Sequence, residues 1–192
     1  MSDLQLEQNK KNLTLITGSA RSGKSELAEA LGHAYPHSVY YLATMEKWPD
    51  DSECLARIAK HRMRRPDSWL SFETPRRLHE RISSLPAGPG LVIIDCLSLY
   101  VSNILIAEPD RADDPYKREA SVKSAINQLL LSIGKRSDLD FIVVTNEVGW
   151  GVVPPVALAR AYRDFLGEAN QAFARDAGEV WLMVAGLKLR LK

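Results

Sequence analysis

A chain of 192 residues, 45% hydrophobic and 26% charged, has the size and composition of one compact domain with a substantial core. Its 25 basic and 24 acidic side chains leave a formal charge of +1, so no global field favours a nucleic acid or an anionic membrane. The two cysteines, Cys54 and Cys96, form neither a CxxC pair nor a metal-ligand cluster, which argues against a disulfide framework and for a reducing cytoplasm.

In chain order, Met1–Asn12 is polar, lacks the apolar run of a secretory signal and reads as a disordered lead-in. Leu13–Thr17 is the first strand-like apolar run. A helix is expected over Lys24–Ala34 with Leu27, Ala30 and Leu31 inward; His33 and His37 flank the turn after it, on the surface. Val39–Ala43 is the second strand. Glu53–Arg65 follows as a helix with Leu55, Ile58 and Ala59 on one side. At about 100° per residue, Arg57, His61, Arg64 and Arg65 share the opposite side. Glu73 falls in a loop-like stretch, His79 in a charged, surface-helical one, and Pro86–Gly90 in an exposed loop.

Leu91–Asp95 is the third strand. The apolar stretch continues to Ala107, but Asp95 and Asn103 interrupt it, so it is a strand entering a loop or helix and no membrane span. Glu108–Tyr116, rich in Asp and Pro, is an exposed loop. The helix Arg118–Ile133 places Val122, Ile126, Leu129, Leu130 and Ile133 on one stripe, and Gly134 ends it. Phe141–Thr145 is the fourth strand, with Asn146 and Glu147 at the edge where parallel sheets bind ligands. That pair suits a contact to phosphate, metal or substrate, and equally the start of a loop. Trp150, between Gly149 and Gly151, is expected in an exposed flexible loop. Pro155–Ala177 is a helix carrying Leu158, Tyr162, Phe165 and Leu166, stopped by Gly178; Val180–Val184 is the fifth strand, with Trp181 in the core.

Strands that are apolar at nearly every position are covered on both faces. Alternated with helices, they imply an α/β domain: a mostly parallel sheet with helices on both faces, running over residues 13–192.

The segment Gly18-Ser19-Ala20-Arg21-Ser22-Gly23-Lys24-Ser25 fits GxxxxGK[ST] directly after a strand and at the start of a helix. The two glycines let successive N–H groups curl around a phosphate chain, and the helix N-terminus adds partial positive charge. Lys24 is placed to reach the β- and γ-phosphates, and the Ser25 hydroxyl to ligate Mg²⁺. Asp95, after four apolar residues, is expensive to bury unless it meets a cation or donors. It suits the metal's outer shell, or the cap of a helix starting just after it. His61 among arginines is either part of a solvated basic face or a nucleophile kept neutral by its neighbours, with cations ready for a leaving pyrophosphate.

Five separated blocks carry a wider resemblance: Thr17 to Ser25; Arg57-Ile58-Ala59-Lys60-His61-Arg62 with Arg65-Pro66; Asp95 to Asn103; Thr145 to Pro154; and Val180-Trp181-Leu182 through Gly186. In this order they resemble the bifunctional adenosylcobinamide kinase / adenosylcobinamide-phosphate guanylyltransferase family of cobalamin assembly. The resemblance implies a RecA-like P-loop NTPase domain and a homotrimer. It implies phosphorylation of adenosylcobinamide with ATP or GTP, then transfer of GMP to the product through a covalent GMP-histidine, which His61 matches. It also implies nucleotide contacts at Gly18–Ser25, Ala43-Thr44-Met45, Arg62, Met63, Arg64, Arg65, Glu73 and Asp95. Lys60-His61 departs from the paired histidines common among relatives.

Two rivals are a plain small-molecule P-loop kinase, with His61 incidental, and a GTPase switch or RecA-type motor. The switch is disfavoured because Thr145-Asn146-Glu147-Val148 lacks the Asn-Lys-x-Asp guanine-reading motif; the motor is disfavoured by the near-zero net charge.

Overall fold

The computed structural model describes residues 12–47, 51–107 and 115–192, with the side chains of Glu53, Cys54, Arg57, Lys60, His61 and Pro115 excepted. The lead-in up to residue 11 and the greater part of the Glu108–Tyr116 loop lie outside the described residues. The elements run β1 (Leu13–Gly18), α1 (Lys24–His33), β2 (Ser38–Ala43), α2 (Ser52–Met63), β3 (Leu70–Glu73), α3 (Leu78–Ser83) and β4 (Gly90–Asp95). There follow α4 (Leu97–Ile106), α5 (Pro115–Gly134), β5 (Leu139–Val144), α6 (Ala157–Asp176), β6 (Glu179–Val184) and β7 (Leu187–Arg190).

One sheet holds all seven strands in the order β3-β2-β4-β5-β1-β6-β7. Every pairing is parallel except β6 with β7. Side chains alternate across it, as the pleat requires. Tyr40, Leu42, Val92, Ile94, Phe141 and Val143 meet a core built by α3, α4, α5 and α6. Val39, Tyr41, Leu91, Ile93, Ile142 and Val144 face the other way, toward Ala28 of α1 and Trp69. The expected α/β architecture with helices on both faces is therefore present.

The structure corrects several expectations. In α1 the buried apolar side is Ala28 and Gly32, not Ala30 and Leu31. The reason is close approach: a Cβ on Gly32 would stand 2.7 Å from the Trp69 ring, so only small residues fit between helix and sheet. Leu27 and Leu31 border a cavity of about 360 Å³ that they share with Trp181. That tryptophan is half-buried, its ring crossed by Lys188 and Arg190, because β6 is followed only by a short edge strand.

Glu73 ends a strand, β3, rather than lying in a loop. Four residues with only Phe72 partly covered give no legible period. The hairpin into β7 turns on Ala185 and Gly186, both with positive φ, and lacks the Asn-Gly or Asp-Gly signal of such turns. The stretch after Asp95 resolves as helix α4, and α2 ends at Met63, two residues early. His79 is half-buried beside Glu80 at 3.9 Å, whereas His33 and His37 are exposed as expected. Trp150 is 79% exposed.

Candidate active site at the C-terminal edge of the sheet

The C-terminal ends of parallel strands are where open α/β sheets bind ligands. Here β5 separates β1 from β4, and its Val144 stands level with Ile16 on one side and Asp95 on the other. The loop after β1 and the acid ending β4 thus face each other across one strand.

The loop has the expected backbone. Gly18 and Gly23 have φ of 149° and 96°, and Arg21 between them is left-handed at 57°. A Cβ on Gly18 would come within 2.4 Å of the Met183 carbonyl oxygen, so the position admits no side chain. The turn before β7 pins the loop from outside, with the Gly186 amide donating to the Ser22 carbonyl at 3.1 Å. Gly23 is the N-cap of α1, and no side chain caps that helix, so its first amides are left for an anion. Lys24 is only 6% exposed and folds back on its own loop, donating to the Ser19 carbonyl at 2.5 Å with Ser22 Oγ at 3.5 Å. Burial lowers its pKa, opposed by Cys96, Asp95 and Glu26.

A cavity of about 610 Å³ opens before this loop. Its lining unites Ala20, Arg21, Ser22, Gly23, Lys24 and Ser25 with Ala43, Met45, Arg62, Arg64, Arg65, Glu73 and Asp95, all singled out from sequence. Ile58, Leu99 and Val144 supply apolar wall, and Asn146 completes the rim. Gly18 and Ser19 form the base of the loop without lining this cavity. Met63 points outward, 81% exposed. Thr44 is fully buried: its hydroxyl donates to the Cys96 carbonyl at 2.8 Å and accepts the Cys96 amide at 2.7 Å. It staples β2 to β4 instead of facing the cavity.

Arg64 and Arg65, expected on the α2 face shared with Arg57 and His61, lie beyond that helix, which stops at Met63; Arg62 is in its last turn. Arg62, Arg64 and Arg65 each dock on a different element. Arg62 lies 3.8 Å from Glu73 of β3, which also pairs with Lys47 at 2.5 Å. Arg64 donates to Glu26 of α1 at 2.9 Å and stands 4.0 Å from Glu29. Arg65 places its guanidinium carbon over the Tyr41 ring, 3.7 Å from its centroid. Glu29 is buried, and burial raises its pKa against the lowering effect of Arg64. Ala59 and Leu55, expected to face a core, are exposed, while Ile58 meets the cavity. His61 falls in the last turn of α2; its side chain, like that of Arg57, lies outside the described residues.

Two positions at the site escaped sequence reasoning. Tyr41, read as ordinary strand core, donates its hydroxyl to Asp95 Oδ2 at 2.5 Å. Burial, then the Asp95 charge, raises its pKa and keeps it a donor. Asn170 of α6 bonds to both Thr145 and Asn146. The available signal was an asparagine beside the buried stripe of Leu166, Ala169 and Phe173. Cys96 is a buried free thiol whose pKa burial pushes up to about 11.

A glycine-rich loop leading from β1 into α1, faced by an acidic strand end in a parallel sheet, defines a P-loop NTPase fold. The solved ATPase of the type III secretion system of pathogenic bacteria shares it, with a TM-score of 0.56 over 93% of this chain at 11% identity, this chain spanning 56% of that one. The chain belongs to the CobU family, cobinamide kinase / cobinamide phosphate guanyltransferase, whose model matches residues 14–191. It is accordingly an enzyme of the kinase and nucleotidyltransferase classes. The bifunctional adenosylcobalamin biosynthesis protein CobU of Salmonella typhimurium is 38% identical over 183 residues, covering 94% of this chain and 99% of that protein. CobP of Pseudomonas aeruginosa, given the same description, is 38% identical over 178 residues, covering 93% and 96%.

Proposed function

We propose that this chain phosphorylates the aminopropanol hydroxyl of adenosylcobinamide with ATP or GTP, then joins GMP from GTP to that phosphate, releasing pyrophosphate and adenosyl-GDP-cobinamide. The observation that carries the reading is one cavity with cations on two sides. Lys24 and the α1 amides lie on the phosphate-loop wall, and Arg62, Arg64 and Arg65 on the wall at the end of α2.

In the kinase step the Lys24 ammonium exchanges the Ser19 carbonyl for β- and γ-phosphate oxygens. Catalysis is then mostly positioning and charge neutralisation. Mg²⁺ fits the donors present: the Ser25 hydroxyl and the Asp95 carboxylate are hard oxygens at one cavity, with other positions left to phosphates and water. When bound, it supplies charge neutralisation of the phosphate oxygens. In the guanylyl step a neutral His61 nitrogen attacks the α-phosphorus, forming a P–N bond as the P–O bond to pyrophosphate breaks. The cobinamide phosphate oxygen then displaces the histidine. Arg62, Arg64 and Arg65 are the cations at hand for the pyrophosphate.

GTP labelled at the α-phosphate tests the covalent step. Label should remain on the protein through acid-labile, alkali-stable attachment and be lost in His61→Ala. Protein that turns over GTP yet never carries label would leave a kinase without the histidine intermediate.

The same reading takes residues 13–192 as one catalytic unit in the cytoplasm; no described helix is long and apolar enough to cross a membrane. It takes the active form as a homotrimer. Support comes from the β7 edge, where Val184, Leu187, Leu189 and Leu191 are exposed. Light scattering checks the mass.

A further inference from the structure

We infer that Tyr41 is a positioning residue that ties the metal-facing carboxylate to a polyphosphate-facing cation. One side chain meets both groups. Its hydroxyl donates to Asp95 Oδ2 at 2.5 Å, and its ring face carries the Arg65 guanidinium at 3.7 Å. Both partners line the cavity that holds the phosphate loop. The ring is itself fixed. Tyr41 is 1% exposed, and Trp69 stacks on it with centroids 6.2 Å apart and planes within 21°.

The arrangement leaves both partners with capacity to spare. The Tyr41 hydroxyl engages one carboxylate oxygen of Asp95 and leaves Oδ1. Arg65 is held by a π face, with Glu29 acting on it only through space, and its Nε is buried with no hydrogen-bond partner. Arg62 and Arg64, by contrast, lie beside Glu73 and Glu26. Of the three arginines, Arg65 is the one whose anchor leaves the guanidinium free to take a phosphate oxygen. Because Tyr41 sits on a central segment of β2 paired to β4, it sets the spacing between Asp95 and Arg65 through rigid backbone. Such preorganisation spares the reorganisation that two independently mobile charges would need.

The inference rests on the reading of this cavity as the nucleotide site, and its test separates the two. Affinity for a fluorescent GTP analogue is measured with and without Mg²⁺ in the full chain and in Tyr41→Phe, Tyr41→Leu and Arg65→Ala. Tyr41→Phe keeps the ring, so affinity without Mg²⁺ stays that of the parent, while the tightening produced by Mg²⁺ shrinks by about tenfold or more, the scale of one charge-assisted hydrogen bond. Tyr41→Leu and Arg65→Ala each weaken Mg²⁺-free binding by about fivefold, the scale of a cation–π contact, and do not add when combined.

Full Mg²⁺ tightening in Tyr41→Phe, or equal Mg²⁺-free losses in Tyr41→Phe and Tyr41→Leu, would overturn the role. Should Tyr41→Leu not fold, Tyr41→Phe still decides the Asp95 arm and Tyr41→Met takes its place for the ring arm. A parent protein that does not bind the analogue sinks the nucleotide-site reading instead.

Discussion

Asn170, in the C-terminal half of α6, donates its side-chain amide to the Asn146 carbonyl at 3.0 Å and accepts the Thr145 hydroxyl at 2.7 Å. A helix from the covered face of the sheet thereby fixes the chain as it leaves β5. The next residue continues the fixation, since the Glu147 amide donates to the Gly18 carbonyl at 3.0 Å. Asn146 is thus held at the level of the phosphate loop, on the rim of the cavity.

Asn170→Ala should release that hold. Asn146 loses its fixed position, and kcat for phosphoryl transfer falls by about tenfold or more while nucleotide KM moves less. Steady-state kinetics beside a denaturant titration separate this from simple loss of stability, expected at about 1–2 kcal/mol.

Lys24 gives a pH prediction. Burial holds its pKa below the ordinary 10.5, and bound phosphates would raise it by Coulombic attraction. Nucleotide binding then takes up protons on the alkaline side, and affinity, full below the nucleotide-free pKa, falls as pH rises from there through the nucleotide-bound pKa. Calorimetry in two buffers of different ionisation enthalpy should show proton uptake in the parent and none from this source in Lys24→Met. The same variant should lose phosphoryl transfer almost entirely.

Gly32→Ala puts a methyl group 2.7 Å from Trp69 Cη2 and 3.0 Å from Ile93 Cδ1. Neither can retreat easily from a packed face, so α1 must lift from the sheet at a cost of about 1–3 kcal/mol. A lowered Tm with weakened nucleotide binding is expected, because α1 carries the loop and Trp69 backs the Tyr41 ring.

Arg136 clasps two turns far from the site. It donates to the carbonyls of Ile82, Leu85 and Pro86 and pairs with Asp138, which in turn accepts the Gly88 amide at 3.0 Å. Removing it strands the end of α3 and should cost about 2 kcal/mol by chemical denaturation. Asp138 has a pKa depressed first by the Arg136 hydrogen bond and then by Gly88. A depressed carboxylate contributes stability above its unfolded pKa and loses it as pH falls through the folded one. Acid unfolding should therefore begin at higher pH in Arg136→Ala, with activity at neutral pH little changed.

The phosphate loop was legible because its meaning is local. A strand, two glycines at a fixed interval and a helix start define the curl of the backbone whatever lies around them. Asp95 was legible for a related reason, as a charge ending a buried strand. The arginines were only half legible. The family resemblance put all three among the nucleotide contacts, but the helical face expected for Arg64 and Arg65 does not bring them there: α2 ends at Met63, and the three side chains scatter to α1, β2 and β3.

The alternation of strands and helices, the mostly parallel sheet and the glycine-rich loop were all readable from the chain alone, while the family likeness rested on five ordered blocks spread from Thr17 to Gly186. The first three share one reason: they depend on periodicity and spacing between near neighbours along the chain. That α1 buries Ala28 and Gly32, that Glu73 closes an edge strand and that Tyr41 bonds to Asp95 came instead from the assembled fold. Those outcomes turn on partners tens of residues away, such as Asp95 for Tyr41 and Trp69 for Gly32, whose approach is set by packing the two faces of one sheet.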